Sequence, residues 1–155
     1  MAVAYIRGVQ GEGIIATVKH FAANNQEFER HRVNAVIDER TLNEIYFPAL
    51  KAAVQEAGVW AVMSAYNKLN GQWCAENPSL LTDTLQKRWG FKGFVVSDWG
   101  STYSTEATVS AGMNLEMPGG RRSPGSWRVP TSNRRAFGAV FSPKRKSWPR
   151  FRRAA

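Results

Sequence analysis

Three short apolar runs, spaced well apart along the chain, set the strongest limit on the fold. They are Ile14–Val18, Val59–Met63 and Phe94–Val96. Each run is largely continuous rather than alternating, and each has the length of a β-strand rather than of a helix. Continuous apolar strands belong to sheets that are covered on both faces, and such sheets are mostly parallel. The three runs therefore predict a parallel sheet in an α/β fold.

The stretch between the first two runs has the rhythm of a helix. Residues 42–57 carry apolar side chains with a period of about 3.6 residues, so one stripe can pack on the sheet. Asp38 or Thr41 can cap the start of this helix, Gly58 suits its end, and Pro48 is expected to kink it. The segment is therefore predicted to connect two parallel strands.

A second helix and a weaker third one continue the alternation. Asn77 can cap the second helix, Pro78 suits its first position, and Gly90 can end it. A weaker helical stretch, 105–111, leads to a possible fourth strand at 113–117. The order β-α-β-α-β-α-β predicts a parallel α/β architecture with about four strands and intervening helices.

The net charge of +9 is concentrated at one end of the chain. Residues 121–155 contain 11 of the 21 Lys and Arg residues and no Asp or Glu, so residues 1–120 carry ten basic and all 12 acidic side chains. The end segment is also rich in Arg, Ser and Pro and has no helix or strand period. We expect a domain at 1–120 followed by a disordered basic tail at 121–155.

Each apolar run is followed by polar side chains that are suited to chemistry. Lys19 and His20 follow the first run, Tyr66 lies just after the second, and Asp98 and Trp99 follow the third. In parallel α/β sheets these carboxyl ends meet at one edge, where sites form. Such a set of donors, a carboxylate and an aromatic ring fits a neutral polyol. No phosphate-binding glycine-rich loop is present, and we expect no cofactor.

Four strings carry a more specific resemblance: KHFAANN at 19–25 with Glu27 and Arg30 after it, MSAYN at 63–67, GFVVSDW at 93–99, and NLEMPG at 114–119. Together, in this order and spacing, they resemble glycoside hydrolase family 3 of the β-glucosidase type. The resemblance covers about residues 1–120. It implies part of a (β/α)₈ barrel, a retaining hydrolase that acts on O-glycosyl bonds, and a β-linked glucoside or related oligosaccharide as substrate.

The resemblance also implies roles for individual residues. Asp98 matches the nucleophile of the family, which forms the glycosyl-enzyme. Five further residues match positions that bind the sugar or adjoin the nucleophile: Lys19, His20, Arg30, Tyr66 and Trp99. Because Arg30 lies in a charged loop, an ordinary surface ion pair is the competing interpretation for it. The two histidines, His20 and His31, do not have metal-ligand spacing, and we expect no metal site.

Several parts of the family pattern have no counterpart here. A complete (β/α)₈ barrel usually needs about 250 residues, and a retaining glycosidase needs a second carboxyl group about 5–5.5 Å from the first. The family supplies that acid/base group from a later domain, whereas no acidic residue follows Glu116. We therefore expect a truncated fragment with weak or no activity alone. A frameshift near Gly120 is our hypothesis for the basic tail.

Two other functions stay open at this point. The basic tail can give a non-catalytic fragment that binds nucleic acid or anionic surfaces without sequence specificity, and Asp98 can serve as a base in another (β/α)₈ enzyme. Met1–Gln10 lacks the layout of a signal peptide, and no apolar run reaches the roughly 18–20 residues of a membrane helix. We expect no membrane partner, while the compartment, cytoplasmic or secreted, and the oligomeric state are not predicted.

Overall fold

A three-stranded parallel sheet forms the centre of the fold. The computed structural model describes residues 1–118 of the chain. Within them the strands β1 (Thr17–Phe21), β3 (Ala61–Ser64) and β6 (Phe94–Val96) lie in the order β1-β3-β6. Val62 of the central strand pairs with a valine on each side, and it is almost fully buried. The predicted parallel sheet and α/β class are therefore confirmed.

The strand boundaries differ from the predicted runs except at Phe94–Val96: the first strand begins three residues later than predicted, β3 begins two residues later, and the fourth is reduced to a bridge. Ile14 and Ile15 precede β1 and are 61% and 47% exposed, because they lie in the connection between the preceding helical segment and the strand. At the predicted fourth strand there is a single parallel bridge between Val96 and Leu115 rather than a continuous strand. The ladder stops there because the next amide, Met117 N, donates to the Ser97 hydroxyl at 2.7 Å.

The crossover between β1 and β3 contains a break that the apolar rhythm does not predict. A short helix, α2 (Glu39–Thr41), continues as a π-helical turn (Leu42–Tyr46), and α3 (Pro48–Gln55) begins afresh. Asp38 rather than Thr41 caps α2, because its Oδ1 accepts from the Thr41 amide at 2.9 Å. Pro48 occupies the first turn of α3, where its missing N–H costs nothing.

The second crossover follows the predicted pattern more closely. Asn77 Oδ1 accepts from the Leu80 amide at 3.1 Å, and a π-helix runs over Ser79–Arg88. Gly90 ends this helix with φ +72°. The last helix, α4 (Thr105–Ala111), has the predicted bounds. Before the sheet, α1 (Ala2–Gly11) forms a further helix, which was not predicted.

A second, smaller sheet flanks the carboxyl end of the central strand. It contains β2 (Asn34–Ala35), β4 (Lys68–Leu69) and β5 (Gln72–Trp73), in the order β2-β4-β5. Strands β4 and β5 form a hairpin whose two turn residues, Asn70 and Gly71, have φ of 50° and 91°. Positive φ at both central residues is the requirement of a tight type I′ hairpin. A 3₁₀ turn, 74–76, follows directly.

Aromatic rings fill the core between the sheet and its crossover helices. Phe21, Phe47 and Trp89 are buried, and their ring centroids are 5.2 to 5.8 Å apart in tilted or edge-on contacts. Such contacts add to the free energy that burial itself provides. Because Phe21 ends β1, this cluster fixes the strand end that carries the preceding histidine.

The single cysteine, Cys74, is buried beneath the hairpin. Its thiol donates to the Ala22 carbonyl at 3.4 Å. Burial raises the pKa of the Cys74 thiol to about 11, so the thiolate is not formed at neutral pH. The side chain acts as a small apolar group in the core.

The predictions for the end segment concern residues outside the described part of the chain. The basic tail at 121–155, its predicted disorder and its possible anionic partner all fall there, so they stay predictions. Within residues 1–118, no helix combines the length and apolar character that a membrane crossing requires.

Substituting Gly93, which precedes β6, tests how closely this strand packs on the central one. A Cβ atom at Gly93 meets the Trp60 carbonyl oxygen at 2.1 Å, and that backbone cannot move without shifting β3. We expect Gly93→Ala to lower the free energy of unfolding by about 1–3 kcal/mol or more. Urea denaturation measures the change.

The matched control is Gly8→Ala in helix α1, where an added Cβ meets nothing within 4 Å. This substitution is expected to raise the free energy of unfolding by up to about 1 kcal/mol, since alanine favours a helix interior over glycine. Equal effects of the two variants would contradict the close packing at Gly93.

Candidate active site

The carboxyl ends of the three central strands converge on Asp98. His20 belongs to the end of β1, and Asp98 follows β6 by two residues. The His20 Nε2 atom lies 3.0 Å from Asp98 Oδ2, although the central strand β3 separates their strands. Tyr66, which follows β3, has Asp98 among the charges that act on its hydroxyl. The predicted convergence therefore occurs for these three side chains.

Both carboxylate oxygens of Asp98 have a close polar neighbour. Oδ2 faces His20, and Oδ1 accepts from the Trp99 amide at 2.7 Å. The Asp98 carbonyl also accepts from the Ser101 amide at 3.1 Å, so the residue opens a tight turn. With its side chain 14% exposed, the carboxylate is held in one orientation while it remains accessible.

His20 is a neutral neighbour of this carboxylate at physiological pH. Burial lowers the pKa of His20 below its ordinary value of 6.5, and the nearby Lys19 and Arg30 charges act in the same direction. The negative charge of Asp98 opposes them without reversing the shift. A neutral imidazole therefore lies 3.0 Å from the Asp98 carboxylate. This contact was not predicted from the sequence, which indicated only a sugar-binding role for His20.

Arg30 forms an ion pair with Glu27 and covers a ring of the site. Its Nη1 contacts Glu27 Oε2, and its guanidinium carbon lies 4.2 Å from the centroid of the Tyr66 ring. The hydrogen bond to Glu27 raises the pKa of Arg30, and the Asp98 charge adds a smaller effect. Arg30 thus combines the surface ion pair that its loop indicated with a position above Tyr66.

Tyr66 is the buried aromatic residue of the site. Its hydroxyl donates to the Trp99 carbonyl at 2.9 Å. Burial, followed by the negative charge of Asp98, raises the pKa of Tyr66, so the phenol keeps its proton and remains a donor. Its hydrogen bond ties the end of β3 to the turn that contains Asp98.

The other two predicted residues, Lys19 and Trp99, are exposed. The Trp99 side chain is 63% exposed, and only its backbone is held, by the Tyr66 hydroxyl. No hydrogen bond or ion pair joins the Lys19 ammonium group to another residue within 1–118. Both side chains can therefore turn toward a ligand at low cost.

Residues that the sequence did not single out complete the surroundings of Tyr66. The His31 ring packs edge-on against Tyr66, with centroids 4.4 Å apart, and its Nδ1 lies 3.2 Å from the Tyr103 hydroxyl. Tyr103 in turn stacks on Trp73 of the hairpin, at 4.0 Å between centroids. The NG pair at 70–71 is the sequence signal for the hairpin that carries Trp73, although that hairpin was not predicted.

A cleft of about 370 Å³ lies elsewhere, between the hairpin and the two crossover segments. Leu42, Phe47 and Leu80 contribute its apolar walls, and Asn70 and Arg88 lie among its polar ones. None of the six predicted site residues lines it. Among residues 1–118 no three His, Cys, Asp or Glu side chains are grouped as metal ligands.

The lowered pKa of His20 makes stability depend on pH in a defined direction. Between pH 6.5 and the lower folded value, the unfolded chain binds more protons than the folded one. The free energy of unfolding is therefore highest above pH 6.5 and falls as the pH decreases through this window. Urea denaturation over roughly pH 5 to 8 measures the slope.

His20→Gln is expected to flatten the dependence on pH, because the titrating ring is gone. His31→Gln removes the only other histidine and keeps His20, so it serves as the matched control and should retain the slope. A slope that survives His20→Gln unchanged would contradict the assignment.

Comparisons with known proteins identify the family of the chain. The family model for the glycosyl hydrolase family 3 N terminal domain matches residues 1–121. A β-glucosidase from Rhizobium radiobacter is 56% identical over 124 residues, which is 80% of this chain and 15% of that protein. Thermostable β-glucosidase B from Acetivibrio thermocellus is 52% identical over 118 residues, or 76% of this chain and 16% of that protein.

Solved structures give the same result. DesR, a β-glucosidase from Streptomyces venezuelae in complex with D-glucose, has a TM-score of 0.72 and 50% identity over 79% of this chain and 15% of its own. β-Glucosidase 3B from Thermotoga neapolitana in complex with glucose has a TM-score of 0.74 and 46% identity, over 75% and 16%. This chain thus spans about 15–16% of the length of these relatives. The chain belongs to glycosyl hydrolase family 3, and its residues 1–121 match the model of the family's N terminal domain.

Proposed function

We propose that this chain supplies the nucleophile and part of the sugar-binding site of a retaining β-glucosidase. One observation carries the proposal: Asp98 is an oriented, accessible carboxylate at the point where the strand ends converge. Membership of a family whose matched relatives include β-glucosidases supports it. The proposed substrate is a β-linked glucoside or a related oligosaccharide, in keeping with the glucose complexes of two similar structures.

The surroundings of Asp98 suit a nucleophile. A retaining glycosidase needs a carboxylate that is ionised and aimed at the anomeric carbon. His20 Nε2 and the Trp99 amide lie against its two oxygens at 3.0 and 2.7 Å and orient the carboxylate, and each oxygen retains a free lone pair. Because His20 is neutral, it orients the carboxylate without cancelling its charge. One Asp98 oxygen bonds to the anomeric carbon as the glycosidic C–O bond breaks.

The remaining site residues are proposed to hold the sugar. Lys19 and His20 hydrogen-bond with its hydroxyl groups, and exposed Trp99 offers an apolar face to the ring. Arg30 and Tyr66 are already fixed against each other by the cation–π contact at 4.2 Å. They act as preformed walls, whereas Lys19 and Trp99 adjust to the ligand.

The second half of the reaction needs a carboxyl group that protonates the leaving oxygen and then activates water. The hydrogen-bond and ion-pair partners of Asp98 among residues 1–118 include an imidazole and an amide but no carboxyl group. We propose that the acid/base group comes from outside these residues. The isolated chain then loses about 10²- to 10⁴-fold in rate for substrates with a basic leaving group.

An activated substrate tests the nucleophile separately from the acid. In 2,4-dinitrophenyl 2-deoxy-2-fluoro-β-D-glucoside the leaving group departs as the stable 2,4-dinitrophenolate and needs no proton. The fluorine on the sugar slows hydrolysis of the glycosyl-enzyme. We expect one fluoroglucosyl ester per chain, on Asp98, by mass spectrometry and peptide mapping. Asp98→Asn should abolish the adduct.

Asp83→Asn is the matched control, since Asp83 is an exposed helix residue paired with Lys87 at 2.9 Å. It should be labelled at the wild-type rate. An adduct on another residue, labelling of Asp98→Asn, or no adduct on the folded wild-type chain would each contradict the assignment of Asp98.

Turnover of an ordinary aryl glucoside tests the missing acid. We expect the chain to hydrolyse 4-nitrophenyl β-D-glucoside close to the rate of the buffer blank, because hydrolysis of the glycosyl-enzyme needs the same group as a base that activates water. Release of 4-nitrophenolate is followed by absorbance, with Asp98→Ala as the reference. Ready hydrolysis that disappears in Asp98→Ala would show that the chain has its own acid/base group.

A further inference from the structure

The hydroxyl of Tyr103 lies between two residues of the site surroundings. It is 3.3 Å from the Tyr66 carbonyl oxygen and 3.2 Å from His31 Nδ1. The three residues come from three separate segments: the loop after β1, the end of β3, and the loop that follows β6. One hydroxyl group therefore links all three strand ends that form the site.

The chemistry of these atoms fixes the direction of both hydrogen bonds. A carbonyl oxygen can only accept, so the single hydroxyl proton of Tyr103 goes to Tyr66. The Tyr103 oxygen then acts as the acceptor in its contact with His31, and His31 Nδ1 must carry a proton to donate to it. The arrangement thus selects the histidine form that is protonated at Nδ1.

Tyr103 is itself held firmly from two directions. Its ring stacks on Trp73, with centroids 4.0 Å apart and an interplanar angle of 21°. Its backbone amide donates to Glu76 Oε1 at 3.0 Å. Trp73 is part of the hairpin strand β5, and Glu76 ends the 3₁₀ turn that follows it. The hydroxyl is therefore presented from a rigid base rather than from a free loop.

The link from Tyr103 continues to the nucleophile. His31 packs edge-on against the Tyr66 ring at 4.4 Å, and the Arg30 guanidinium lies 4.2 Å from the centroid of the same ring. The Tyr66 hydroxyl donates to the Trp99 carbonyl, adjacent in sequence to Asp98. A shift of His31 or of the Tyr66 backbone thus moves the ring that adjoins Asp98.

We propose that Tyr103 is a positioning residue of the active site. Its hydroxyl fixes the protonated nitrogen of His31 and the backbone of Tyr66, and through them the Tyr66 ring and its hydrogen bond beside Asp98. The proposal rests on the proposed role of Asp98 for its effect on reactivity. The hydrogen-bond arrangement itself is independent of that role, so the two can fail separately.

Tyr103→Phe tests the arrangement on the whole chain, because it keeps the ring on Trp73 and removes only the hydroxyl. Long-range ¹H–¹⁵N spectra of the histidine rings report which nitrogen carries the proton. In the wild type we expect His31 to be protonated at Nδ1. In Tyr103→Phe the Nε2–H form, which a free histidine side chain favours, should become the main neutral form.

The rate of Asp98 labelling by the fluoroglucoside measures the consequence for the site. We expect a decrease of about tenfold in Tyr103→Phe, less than the roughly hundredfold that a 1 Å misplacement can cause. Tyr5→Phe is the matched control, since Tyr5 lies on helix α1 and is 73% exposed. It should change neither the His31 spectrum nor the labelling rate.

The labelling rates are compared at a temperature where circular dichroism shows each variant to be folded. A lower rate then reflects a change in the site and not partial unfolding. A wild-type His31 that is protonated at Nε2 only would overturn the proposal. An unchanged labelling rate in Tyr103→Phe would also overturn it. If the wild type takes no label, the role of Asp98 fails, and an unchanged Tyr66 ring spectrum in Tyr103→Phe then overturns the positioning role.

Discussion

The contact between His20 and Asp98 depends on the way the three strands of the central sheet run side by side. Adjacent strands are about 4.8 Å apart, so residues on β1 and on the loop after β6 are separated by about twice that distance at the backbone. Their side chains nevertheless meet at 3.0 Å. This requires parallel strands whose ends are level, and small residues where the central strand passes between them. Ser64 and Ala65 occupy that position, and both are buried.

The requirement that the strand ends be level explains why many core contacts lie at the ends of strands. Phe21 packs between Phe47 and Trp89, directly after His20, and Gly93 lets β6 approach the backbone of Trp60. These contacts do not touch Asp98. They fix the register of each strand relative to its neighbours. If one strand shifted by one residue, each of its side chains would turn to the opposite face of the sheet.

The fold and the main site residue were accessible from the sequence because both follow from local patterns. Continuous apolar runs identified the sheet, and polar residues after them identified its reactive edge. The small hairpin was missed although Asn70 and Gly71 form the strongest short hairpin signal. The break at Phe47 was predicted as a kink at Pro48, but the π-helical turn before it was missed because a helical period cannot distinguish α from π hydrogen bonding. The partners of His20 and Arg30 were not predictable, since each is a choice among several charges that only the three-dimensional arrangement decides.

The buried thiol of Cys74 gives this chain a built-in reporter of motion. It is the only cysteine, its pKa of about 11 suppresses its reaction with thiol reagents in the closed state, and its hydrogen bond goes to Ala22 at the end of β1. A thiol-specific reagent under native conditions can therefore react only when the hairpin and the segment around Ala22 separate and expose Cys74. The rate of that reaction measures how often the strand end next to His20 moves away from Cys74, and it needs no substitution in the protein.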